Sequence, residues 1–200
     1  MRLIVGMTGA TGAPLGVSLL QALREMPEVE THLVLSKWAK TTIELETPYS
    51  VRDVSALADY CHNPADQAAT ISSGSFRTDG MIIIPCSMKT LAGIRAGYAE
   101  GLVGRAADVV LKEGRKLVLV PREMPLSTIH LENMLALSRM GVRWSRRCPR
   151  ITTTRKRSMT LRSISLRVCS ISLVWNTPTP VAGRVYGRRR IFHRRMNNGI

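Results

Sequence analysis

Three glycines, Gly6, Gly9 and Gly12, interleaved with Thr8 and Thr11 and followed by Pro14, are the first residues in this 200-residue chain whose types and spacing suggest chemistry. They separate a short apolar run, Leu3-Ile4-Val5, from the series Leu15, Val17, Leu19, Leu20, which reads as strand, tight loop and helix. Such a loop suits an anion, above all a phosphate. Glycine lets backbone approach the charge, the threonines offer hydroxyls, and the helix end offers free N–H groups and a positive dipole. The G-x-x-G-x-x-G spacing matches neither the dinucleotide fingerprint nor the P-loop, so neither a nicotinamide dinucleotide nor ATP is inferred.

Three more polar turns follow apolar runs. Ser36 follows Thr31 to Leu35, Cys86-Ser87-Met88-Lys89-Thr90 follows Gly80 to Pro85, and Arg122-Glu123 follows Lys116 to Pro121. By residue type alone, Glu46 and Lys112 read as solvated charges at helix ends, and Cys86 reads as a small core residue. Arg122 and Glu123, adjacent directly after a buried strand, are stronger candidates for chemistry. Trp38, Trp144 and Trp175 form no stacking pattern.

The elements that must position these turns alternate along the chain. The first helix is expected to run to about Glu25, then strand 31–35, helix Lys37 to Glu46, and a helical segment from Ser50 to Tyr60. Residues 61–78 read as a loop. Strand 80–85 leads into helix Leu91 to Tyr98 and helix Leu102 to Arg115, and strand 116–121 into a helix capped by Ser127 or Thr128 that runs to Met140. The pattern predicts one α/β domain with a doubly wound parallel sheet, a flavodoxin-like or Rossmann-like three-layer arrangement with ligands at the carboxyl ends of the strands. All four polar turns fall at those ends.

The net charge of +15 would ordinarily suggest a nucleic-acid or anionic-membrane partner. All 14 acidic residues, however, lie between Glu25 and Glu132, and residues 1–142 also hold 14 Lys plus Arg; residues 143–200 hold the other 15 and no acid. Four cysteines, Cys61, Cys86, Cys148 and Cys169, lack metal-ligand or CxxC spacing, so no metal and no redox dithiol is expected. No signal peptide or membrane span is read, and a cytoplasmic protein is expected.

The combination MTGATGAPLG, SK after the second strand, PCSMKTLAGI, RAADVVLKEGRKLVLVPREMP and IHLENMLALSRMG resembles the UbiX/Pad1 family of flavin prenyltransferases, and within it the enterobacterial Pad1-type branch. The resemblance covers residues 1–142. It implies a domain that assembles into homo-oligomers, as dodecamers, and binds FMN between subunits without a metal. It also implies transfer of a dimethylallyl group from dimethylallyl phosphate to N5 and C6 of reduced FMN, the product serving a partner UbiD-type decarboxylase. By position the flavin contacts fall on Gly9, Ala10, Thr11, Ser36, Ser87, Met88, Lys89, Thr90 and Arg122. Glu46, Lys112, Arg122 and Glu123 match positions near the prenyl phosphate. The alternative is an FMN-dependent aromatic acid decarboxylase, the activity in the family's older name. A peptidyl-cysteine decarboxylase fits less well, since those use an early catalytic His and none stands in the first 31 residues. A basic nucleic-acid-binding protein is a third reading, disfavoured because the excess charge belongs to the tail.

After Gly141 the resemblance ends. The family would continue with a strand, a proline-rich turn and an acidic amphipathic helix, and would take from them a prenyl-site Tyr, a phosphate-binding Arg or Lys and a terminal Trp. Read one nucleotide earlier, codons for SRRCPRIT are compatible with VPPMPAYY, and those for TTTRKRSMT with YNHPETVDD. Residues from about Arg143 are therefore expected to be out of frame. Residues 143–200 form an atypical basic segment in which those three roles fall on no position.

Overall fold

The computed structural model describes residues 1–144, so the basic segment beyond Trp144 lies outside the described residues. Within them runs β1 (Arg2–Met7), α1 (Ala13–Arg24), β2 (Glu30–Leu35), α2 (Lys37–Glu46), α3 (Val51–Ser55), β3 (Tyr60–His62), a 3-10 turn Thr70–Ser72, β4 (Gly80–Cys86), α4 (Met88–Ala96), α5 (Gly101–Lys112), β5 (Lys116–Pro121), α6 (Thr128–Arg139) and β6 (Arg143–Trp144). The sheet has six strands in the order β3-β2-β1-β4-β5-β6, every pair parallel. The chain winds outward from β1 to β3 and then outward the other way from β4 to β6. The topological switch therefore falls between β1 and β4, where doubly wound folds bind their ligands.

Helices on both faces explain why the central strands are apolar throughout: every residue of β4 is buried. Alternation along the strands divides the interior in two. On one face Val5, Leu33 and Ile82 pack with Leu20 of α1 and Ile43 of α2. On the other, Ile4, Val34 and Ile83 pack with Leu91 of α4 and Leu102 and Val110 of α5. Cys86 is fully buried here, as expected of a core thiol, and burial pushes its pKa up to about 12, which keeps it protonated and inert.

One expectation changes. The helical segment read over 50–60 contracts to α3, closed by the Ser50–Asp53 capping box, and the chain turns at Asp59 to enter β3. Asp59 Oδ2 accepts from both the N–H and the hydroxyl of Thr31, at 2.7 and 2.8 Å, and its own N–H donates to Thr31 Oγ1. That cross-strand clamp overrides the local helical period. At the other edge, Arg143 and Trp144 pair with Val118 and Leu119 of β5 as the short strand β6.

The β2–β3 edge carries a chain of polar contacts. Arg2 Nε donates to Glu30 Oε1 at 2.6 Å, and the same oxygen lies 2.8 Å from His32 Nε2. An ionised Glu30 requires the proton of His32 on Nε2, which leaves Nδ1 to accept from His62 Nε2 at 2.9 Å. The Arg2 and His32 hydrogen bonds hold the Glu30 carboxyl down at about 2, against an ordinary 4.5. Desolvation, and then His32, keep His62 below the ordinary 6.5. A histidine depressed in the fold loses stability as pH falls through its unfolded value, and a depressed carboxylate loses it as pH falls from about 4.5 toward 2. The melting temperature is accordingly expected to fall in two stages on acidification. His62→Gln should remove the stage near pH 6; an unchanged profile in that variant would show that His62 does not titrate with folding.

Candidate functional site

The three strands flanking the switch end level. Met7 pairs with Leu35 across β1 and β2, and Gly6 with Ile83 across β1 and β4. The residues just beyond them are stitched together. Ser36 N–H donates to Met7 O at 3.0 Å, Thr8 N–H donates to Pro85 O at 3.1 Å, and Thr8 Oγ1 donates to Pro85 O at 3.0 Å while accepting from Ser87 N–H at 2.7 Å. Thr8 is buried and is the bridge between the two halves of the fold. Thr8→Val keeps the shape but leaves the Ser87 N–H without its acceptor, at a cost of about 1–3 kcal/mol. A urea-unfolding midpoint equal to that of the parent chain would refute the bridge.

Above this floor opens a cleft of about 700 Å³, lined in part by Thr8, Gly9, Ser36, Lys37, Trp38, Ser87, Lys89, Thr90, Tyr98 and residues 101–104. Its volume lies in the range of small-molecule and cofactor sites. Two helices begin at its polar floor with serine caps: Ser36 Oγ accepts from Ala39 N–H, and Ser87 Oγ accepts from Thr90 N–H. The third, α5, starts at Gly101 with no side-chain cap. Leu102 N–H donates to Pro64 O at 2.8 Å, which docks the 63–67 loop on that helix end and makes Pro64, Ala65 and Gln67 part of the wall. Three positive helix ends, two serine hydroxyls and the cations Lys37 and Lys89 all favour an anion. Glu100, 3.9 Å from Lys89 at the surface, is the opposing charge.

The structure thus gathers Gly9, Ser36, Ser87, Lys89 and Thr90 of the expected residues. The others stand apart. Met88 turns into the core. Ala10 and Thr11 sit half-buried beside the cleft without lining it, the Ala10 N–H donating to Thr8 O. Arg122 and Glu123 follow β5 at the same end of the sheet, the Glu123 carboxylate accepting from the Met124 N–H, and neither lines the cleft.

Glu46 changes the reading of the first glycine loop. Its Oε2 accepts from the N–H groups of Gly12 and Ala13, at 2.8 and 2.9 Å. The start of α1, expected to receive a phosphate, is held by a carboxylate of the protein's own, because a helix N-terminus accepts any anion that can reach it. Gly9 is likewise needed for a reason other than an anion: a Cβ there would overlap the Cβ of Trp38.

Lys112 lies at the far end of the molecule. Helix α5 runs antiparallel to the strands from the cleft and ends four residues before β5 begins, and Lys112 Nζ pairs with Glu113 at 3.0 Å. Sequence reasoning missed Thr8 as a bridge and Trp38 and Tyr98 as lining. Trp38, three residues past the end of β2, carried the same positional signal as Ser36.

A family model described as Flavoprotein matches residues 1–160. A protein of Escherichia coli O157:H7 named "Probable UbiX-like flavin prenyltransferase" is 93% identical over 142 residues, 71% of this chain and 72% of its own length. Among solved structures, a dodecameric FMN-dependent UbiX-like decarboxylase from Escherichia coli O157:H7 is 74% identical with a TM-score of 0.80, covering 92% of this chain and all of its own. AnUbiX (PadA1), in complex with FMN and dimethylallyl pyrophosphate, is 50% identical with a TM-score of 0.80, covering 94% of this chain and 98% of its own.

Proposed function

This chain belongs to the flavoprotein family, among the UbiX-like flavin prenyltransferases, and from that premise we propose how its residues serve the reaction. The reaction joins a dimethylallyl group from dimethylallyl phosphate to reduced FMN at N5 and C6, giving the prenylated flavin used by a UbiD-type decarboxylase. The observation that carries the assignment to this cleft is the convergence of three helix N-termini on a polar floor below an exposed aromatic residue. That donor set fits a ligand with a phosphate tail and a planar ring.

In this reading Gly9, Ser36, Ser87 and Thr90 hold the phosphate and ribityl chain through backbone and hydroxyl donors, and Lys89 adds charge at the rim. Ala10 and Thr11 shape the neighbouring turn. Arg122 and Glu123, at the carboxyl end of β5, face the prenyl phosphate, where a guanidinium stabilises the departing anion. Glu46 acts by holding the start of α1, and so the glycine loop, in place.

Lys112 can meet the same ligand only from a second copy, since its own cleft is at the opposite end of α5. A homo-oligomer with FMN between subunits, such as a dodecamer, supplies that copy. The exposed apolar residues Ile129, Leu131 and Leu135 of α6 are consistent with such an assembly. Among the described residues, no helix is long and apolar enough to cross a membrane.

The test is anaerobic incubation with reduced FMN and dimethylallyl phosphate, with mass spectrometry of the extracted flavin. A flavin carrying one added dimethylallyl unit is expected. CO2 released from an aromatic acid without a UbiD-type partner would favour direct decarboxylation instead. Mixed oligomers of Lys112→Ala and Glu46→Ala chains are expected to regain part of the activity each variant loses alone; no regain would remove Lys112 from the site.

A further inference from the structure

Trp38 stands in the first turn of α2 with 67% of its surface exposed, which leaves its ring open to a ligand. It lines the cleft beside Ser36 and Lys37. Its main chain and Cβ are held from two sides. The backbone at Gly9 approaches so closely that only glycine leaves room for the tryptophan Cβ, and Thr42 Oγ1 donates to Trp38 O at 3.2 Å. A solvent-facing indole next to helix N-termini supplies what those polar groups lack. Hydroxyls and amides that hold a phosphate do not distinguish inorganic phosphate from a phosphate attached to a ring. Tyr98, 65% exposed, lines the same cleft from the α4–α5 connection and adds a second ring.

We propose that Trp38 is a specificity-determining residue whose indole stacks on the flavin ring system, so that the cleft selects phosphate esters carrying a planar aromatic group. The inference rests on the FMN reading of the cleft and adds to it the residue that recognises the ring. Stacking of a planar heterocycle on an aromatic side chain changes affinity by about 10- to 100-fold. Phosphate, which has no ring, gains nothing from it.

The test uses the full chain and its Trp38→Phe and Trp38→Ala variants. FMN is titrated against each with flavin fluorescence as the signal, and inorganic phosphate is then added as competitor. Trp38→Ala is expected to weaken FMN at least about 10-fold and to leave bound flavin brighter, because the quenching indole is gone. Trp38→Phe should stay within about threefold of the parent, since a ring is retained. The dissociation constant of phosphate, obtained from the competition, should be the same for all three chains. That equality also shows that the anion-binding floor of the alanine variant is folded.

Equal FMN affinity and equal quenching in the alanine variant would overturn the proposal while leaving the FMN reading intact. So would a loss shared by both variants together with a changed oligomer size, which would place Trp38 between copies. Failure of the parent chain to take up FMN at all would overturn the FMN reading itself, and the proposal with it.

Discussion

Replacing Gly16 by alanine is expected to lower the melting temperature, although in an exposed helix the same change would raise stability by about 1 kcal/mol. Gly16 lies in α1 where the helix crosses the sheet. A Cβ there would stand 2.6 Å from Met7 Cε and 2.7 Å from Ile84 O. The methionine end can turn away; the carbonyl belongs to the central strand β4 and cannot. Helix α1 must therefore lift, which opens the packing of Leu20 and strains the Glu46 bonds to Gly12 and Ala13. Overpacking of this kind costs about 1–3 kcal/mol net, or about 3–10 °C for a chain of this length. Gly16→Val should be worse still. A thermal scan in which Gly16→Ala melts at or above the parent temperature would show that the helix sits farther from β4 than described.

The larger effect on activity is expected from the reading frame. We propose that residues from about Arg143 are out of frame, and the family resemblance implies that a tyrosine, a cation and a tryptophan of the prenyl site are lost with them. The 93% identity to the Escherichia coli relative extends over 142 residues, only 72% of that relative's length. The product of a gene shifted by one nucleotide near the codon for Arg143 is expected to form prenylated flavin at least about 100-fold faster than the chain as it stands, the usual cost of losing a charge-stabilising group. Peptide sequencing of the native protein gives the companion observation. A peptide of the VPPMPAYYNHPE kind would show the natural chain to be in frame, whereas SMTLR would show the basic segment to be real. Equal rates from the two genes would mean that residues 1–142 contain the whole prenyl site.

Strands β1, β2, β4 and β5 are legible in the sequence because each is a compact apolar run between turn residues, and burial on both faces leaves no competing pattern. Strand β3 is not. Tyr60 and Cys61 are exposed, and what makes them a strand is the Asp59–Thr31 clamp, formed by residues 28 apart. The site divides the same way. Gly9, Ser36, Ser87 and Thr90 could be found because position just past a strand end is a one-dimensional property that the fold turns into proximity. Glu46 could not be read as the partner of Gly12, nor Lys112 as remote from Arg122, since both depend on which way a helix returns across the sheet. Trp38 lines the cleft for the same positional reason, although the three tryptophans show no common spacing in the sequence.

The sheet that carries the cleft also separates two interiors: Leu20 and Ile43 share no packed layer with Leu91 and Leu102. Perturbations on its two sides should therefore be nearly additive, with little coupling energy passing through the strands. The α4–α5 side can accumulate core substitutions without drawing on the stability reserve of the α1–α2 side. Ligand selection itself draws on both sides, through Trp38 on α2 and Tyr98 after α4, so the cleft is where the two otherwise separate halves must vary together.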